Sequence, residues 1–75
     1  MALIAMGQEV QLRRRLRGLG YELRPSPVQD PKHPAYRGYM IVDTRQHLVV
    51  AGYEPFAFSL DLDAVADWLR ATEMK

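Results

Sequence analysis

The 75-residue sequence contains no cysteine, which excludes a disulfide staple and any thiolate metal site. No apolar run approaches the ~20 residues that a bilayer-spanning helix needs. The opening Met1-Ala2-Leu3-Ile4-Ala5-Met6 has no basic segment before it and soon meets Gln8-Glu9; it is too short for a secretory signal core. We therefore expect no membrane partner and a cytoplasmic location. Catalytic residue types are also scarce, with two histidines and only Ser26 and Ser59 as serines. Ser26, Asp30 and His33 share one loop, but a triad needs its nucleophile, base and orienter brought together in space. Asp30 with His33, and Asp43 with His47, offer two ligands each, short of the three or four that zinc takes. The expectation is a chain with no catalytic residues, no cofactor and no metal.

What is present is the composition of a globular domain, 48% hydrophobic and 25% charged with seven aromatics. At 8.6 kDa, surface scaling gives a folded area of roughly 4,700 Å² against roughly 12,500 Å² unfolded. A single domain of this size without staples needs very regular packing or a partner subunit. The net charge of +1 conceals an asymmetry: residues 1–37 hold seven basic and three acidic groups, and residues 38–75 hold three and six. Such a split suits a nucleic-acid face, head-to-tail association, or attraction between the two halves.

Leu12, Leu16 and Leu19 recur at i, i+4 and i+7, so the spacing predicts a helix over 8–19 with residues 1–7 frayed or packed separately. Gly20 suits the left-handed position after that helix, with Tyr21 folding back over Leu16. Tyr21-Glu22-Leu23-Arg24 alternates with period two and predicts a strand over 21–24. Four of the five prolines fall between Pro25 and Ala35, which makes a stiff loop. Strands over 36–43 and 47–51 form a hairpin. If Val42 faces Leu48, its connection is Thr44, Arg45 and Gln46.

That register puts Met40, Val42, Leu48 and Val50 on one face and Tyr39, Ile41, Val49 and Ala51 on the other. Both faces are apolar, so something besides water should cover the second. A last helix is predicted over 61–72, with Asp61 as N-cap, Leu60 and Val65 as a hydrophobic staple, and Leu62, Val65, Ala66 and Leu69 as its stripe. Asp63 adds negative charge where the helix dipole favours it. The fold class expected is α+β, αβββα, a three-stranded antiparallel sheet with both helices on one face.

Two functional readings follow. In the first, the uncovered sheet face mediates a homodimer or holds a protein partner, with Tyr39, Ile41 and Val49 at its centre if Met40, Val42, Leu48 and Val50 face the helices; the hairpin alone leaves the reverse assignment open. In the second, the Arg13-Arg14-Arg15 run with Arg17, joined by Lys32 and His33 of the proline loop, contacts nucleic acid; Arg13, Arg14, Arg17, Lys32 and His33 would then neutralise phosphates. Phe56, Phe58 and Trp68 could line a small pocket, but a domain this small needs such side chains in its core, where each is worth roughly 1.5–3 kcal/mol.

Arg37-Gly38-Tyr39-Met40-Ile41-Val42 resembles the RNP1 box of RRM domains at Arg37, Gly38, Tyr39 and Val42, and departs from it at Ile41 and Thr44, where stacking aromatics belong. The order αβββα resembles the double-stranded-RNA-binding fold and the small toxin-type mRNA interferases that share it. That resemblance implies duplex contacts from a loop histidine, matched by His33 beside Lys32, and from lysines at the start of the last helix, where Asp61-Leu62-Asp63 stands instead. The interferase likeness implies a ribonuclease whose histidine precedes the second strand; here Tyr36-Arg37-Gly38 occupies that place. Gly20-Tyr21, Tyr39-Met40-Ile41-Val42-Asp43, Val49-Val50-Ala51-Gly52 and Phe58-Ser59-Leu60-Asp61 are also similar to segments of short bacterial open reading frames, a likeness that carries no activity and assigns no residues.

Overall fold

The computed structural model describes the backbone of residues 2–74 and the side chains of residues 7–74. Helix α1 spans Ala2–Gly18, so its backbone starts six residues before the Gln8 that the leucine spacing suggests. Leu12 and Leu16 are buried on one stripe. The helix closes with i→i−3 bonds, Leu19 N to Leu16 O at 3.0 Å and Gly20 N to Arg17 O at 3.1 Å, and Gly20 follows at φ 93°. This tightened ending swings Leu19 off the stripe it was expected to extend, leaving it 40% exposed.

Strands β1 (Tyr21–Pro25), β2 (Tyr39–Asp43) and β3 (Leu48–Ala51) and helix α2 (Leu62–Glu73) complete an α+β chain of order αβββα. The sheet is antiparallel with β2 in the centre. β2 starts three residues later than the sequence suggests, because Tyr36 N to His33 O and Gly38 N to Ala35 O close turns just before it. Asp61 caps α2 by accepting from Ala64 N at 2.8 Å, and Asp63 lies in its first turn. Among the described residues, no helix is long and apolar enough to cross a membrane.

The core forms where Leu12 and Leu16 of α1 and Val65 and Leu69 of α2 meet Leu23 and Ile41 of the sheet. Leu23 and Ile41 are direct cross-strand partners, so both helices sit on the sheet face to which these two point. Tyr21 packs edge-on against Trp68 with ring centroids 5.0 Å apart, which ties β1 to α2. Residues paired across antiparallel strands share a face; Glu22 with Val42 and Arg24 with Met40 therefore form the opposite side.

The hairpin register differs from the expected one. Asp43 pairs with Leu48, Val42 with Val49 and Ile41 with Ala51, with a bulge between Ile41 and Val42. The connection is four residues, Thr44 to His47, and ends with His47 in the left-handed region at φ 56°. Asp43 fixes this turn by accepting from Arg45 N at 2.9 Å and Gln46 N at 3.3 Å, and Thr44 bonds Gly20 O through both its amide and its hydroxyl. One added loop residue moves β3 by one position and flips its side chains relative to β2.

After β3 the chain turns at Gly52 (φ 88°), where a Cβ would lie 2.6 Å from Tyr39 O. Gly52→Ala should therefore unfold the hairpin end, shifting β3 away from β2. Ile41→Ala, at a site with no solvent exposure, should cost about 2–5 kcal/mol. Urea titrations followed by circular dichroism check both; an unchanged midpoint for Ile41→Ala would mean that Ile41 is not in the core.

Candidate functional site

The two sheet edges differ in chemistry. β1 offers Glu22 and Arg24, ion-paired at 2.8 Å, and ends in Pro25; charges and proline are the devices that stop an edge strand from recruiting another. β3 is Leu48-Val49-Val50-Ala51, with no charge and no proline. Leu48 is 55% exposed and Val49 40%. Arg45 in the preceding turn and Glu54 in the following loop have no ion-pair partner among the described residues.

Of the three residues expected to centre an uncovered face, Ile41 is fully buried in the core and Tyr39, half-buried, packs against the same cluster. Only Val49 points away from the helices into solvent. The expected faces of β2 are reversed because Leu23, the apolar residue of β1's alternation, brings its partner Ile41 under the helices. Met40 and Val42 lie on the far face at only 9% and 6% exposure. They are flanked there by Glu22 and Arg24, whose stems can cover apolar surface while their charges stay wet, and by the Gly52 backbone, which sits against Met40. The signal for this assignment was present in Tyr21-Glu22-Leu23-Arg24. A hairpin that is apolar on both sides can draw its polar neighbours from the third strand.

The basic residues differ in their partners. Arg13 is held by Glu9 at 2.8 Å on α1, and Arg15 pairs with Glu73 of α2. Arg14 and Arg17 are exposed and have no ion-pair partner among the described residues. In the proline loop, polar side chains cap nearby amides: Ser26 Oγ accepts from Val28 N at 3.1 Å, Asp30 Oδ1 from Lys32 N at 3.0 Å and His33 Nδ1 from Ala35 N at 3.0 Å. The three residues of a conceivable triad thus each serve their own turn. Among the described residues, no three metal-ligating side chains gather.

A shallow cleft of about 300 Å³ lies between the turn before β2 and the start of α2, lined by Tyr36, Arg37, Gly38, Phe58, Ser59 and Asp61 among others. Arg37 and Phe58 both take left-handed φ, 59° and 63°. A Cβ on Gly38 would fall 1.9 Å from Phe58 O, so only glycine allows this approach. Its polar groups are mostly engaged: Asp61 caps α2, Ser59 Oγ donates to Glu54 O at 2.6 Å, and Arg37 lies 5.4 Å over the Tyr36 ring. Beside it, burial pushes the Tyr39 phenol above its ordinary pKa, reinforced by the Glu9 carboxylate and opposed by Arg13 and Arg37.

No family model, curated protein or solved structure matches the chain.

A phenol raised in the folded state stabilises the fold below its unfolded pKa of 10.0, and that contribution disappears as pH rises through the folded value. Stability should therefore fall on the alkaline side of about pH 10. Glu9→Gln should lower the Tyr39 midpoint in an ultraviolet titration; an unmoved midpoint would show that Glu9 does not face the phenol.

Proposed function

We propose that the chain is a small non-catalytic interaction module that self-associates through its sheet, using the edge of β3 rather than the face centred on Ile41. The observation that carries this reading is the contrast between an edge closed by Glu22, Arg24 and Pro25 and one that presents exposed Leu48 and Val49. A four-residue edge is a small contact, so the association is weak and concentration-dependent.

The nucleic-acid reading draws support from Arg14, Arg17 and Lys32, which are exposed and have no ion-pair partner among the described residues, whereas Arg13 and Arg15 pair with carboxylates. The likeness to the RNA-binding fold extends to the order of elements, while Asp61 and Asp63 at the start of α2 repel phosphate. His33, the one loop residue that the likeness points to, accepts a backbone bond through Nδ1.

Light scattering across a tenfold dilution should show a mass that climbs toward two chains as concentration rises. Val49→Lys should weaken association by about tenfold or more, the ~1.5 kcal/mol expected for an apolar side chain replaced by a charge at a buried edge, with circular dichroism unchanged. A monomer at every concentration would overturn the proposal. Fluorescence anisotropy with labelled RNA and DNA at ~50 mM salt tests the alternative: binding that falls steeply with salt and is lost in Arg14→Gln/Arg17→Gln would favour it.

A further inference from the structure

We infer that two copies pair β3 against β3, antiparallel, about a twofold axis at Val49, so that the two three-stranded sheets become one sheet of six. This rests on the self-association proposed above and adds the residue at which the two chains meet.

The argument concerns where backbone groups point. Ser26 N bonds Gly38 O at 2.8 Å and Thr44 N bonds Gly20 O at 3.0 Å, so the backbone groups of residues 38 and 44 face β1 at either end of β2. Along a pleated strand this direction alternates, and the even residues Met40 and Val42 face β1 as well. The odd residues face the other way. Tyr39 shows this directly, exchanging both backbone bonds with Leu60, 2.7 Å and 3.2 Å. Asp43 accordingly directs its N–H and C=O to its partner Leu48, and Leu48 answers toward β2. Val49, opposite Val42, then turns both its N–H and its C=O out of the sheet.

The bulge at Val50 interrupts the alternation, and Ala51 returns to face its partner Ile41. On the strand proper, Val49 is therefore the residue whose two backbone groups lie open together. In an antiparallel pair, two residues that exchange both bonds sit opposite each other, and a twofold axis places Val49 against the partner's Val49. The competing register sets Val49 against the partner's His47; it requires an extended residue 47, whereas His47 is left-handed at φ 56°.

Side chains agree with this choice. Leu48 falls opposite the partner's Val50 on the helix side, and the two Val49 side chains meet on the far side. The chain has no charge on β3 to resist the approach, and β1 with its ion pair and proline remains outside.

Hydrogen exchange on the unmodified chain tests the register. The Val49 amide should exchange rapidly in dilute solution and slow at least tenfold as the chain is concentrated into the range where light scattering detects pairs. The Leu48 amide, bonded to β2, should be protected throughout. The absence of native cysteine permits a second measurement. Under mild oxidation Val49→Cys should give a covalent dimer, since Cα atoms of a bonded antiparallel pair lie ~5.5 Å apart, within the range of a disulfide. Leu48→Cys should remain a monomer, because it would meet itself only in the competing register. Pairing by light scattering with no protection at Val49, or with cross-linking at Leu48→Cys instead, would overturn this geometry and leave self-association standing. A chain that stays monomeric would remove both.

Discussion

Leu23 and Ile41, side by side on β1 and β2 with both helices resting on them, decide which residues of this chain can meet anything else. A pleated strand offers only two faces. Once these two point inward, Tyr21 and Tyr39 must follow them, and Glu22, Arg24, Met40 and Val42 must face outward. A two-layer domain of 75 residues has no third element to cover that outer face. Glu22 and Arg24 stand beside Val42 and Met40 on that face, and Gly52 contributes because its missing side chain lets the backbone lie on Met40. The exposed apolar surface of the sheet is thereby confined to β3.

Much of the fold was legible. The four-residue spacing of Leu12 and Leu16 marks a helical stripe, and Asp61 precedes an apolar-periodic segment whose first amides need an acceptor. The alternation of Tyr21 to Arg24 marks a half-buried strand. These are local signals, each decided by the chemistry of a few adjacent residues. The face of the hairpin was not legible from the hairpin itself, because Met40, Ile41, Val42, Val49 and Val50 are all apolar and alternation among them carries no contrast. The turn length depended on His47 adopting a left-handed φ, which its residue type permits without demanding. Leu19 was misplaced for a related reason: a tightened last turn changes the angle between successive residues, so a stripe projected at a constant ~100° runs past its end.

The loop's serine, aspartate and histidine side chains are engaged for a different reason. Ser, Asp and His side chains in a proline-rich loop compete for the backbone amides that proline leaves without regular partners. Ser26, Asp30 and His33 each satisfy such an amide within two residues. The arginine run is likewise divided by the helix, with Arg13 one turn beyond Glu9 and Arg15 turned to the end of α2. A sequence count of basic residues overstates a basic patch when the fold places carboxylates within reach of half of them.

The asymmetry of the edges also limits what assembly could follow. A sheet open at both edges adds strands without end, whereas a sheet with one open edge and one closed edge can pair only open side to open side, which closes under twofold symmetry. β1 is closed by its own composition. On β3 the bulge at Val50 interrupts the alternation, so the open backbone is concentrated at one residue and a long recruiting edge never forms. The same irregularity would weaken such a contact and restrict it to one register, because two chains can match their outward groups only where both have them. The arrangement favours a discrete pair over a fibre, through local features of β1 and β3 that cost the core nothing: Leu23 and Ile41 remain beneath the helices in either state.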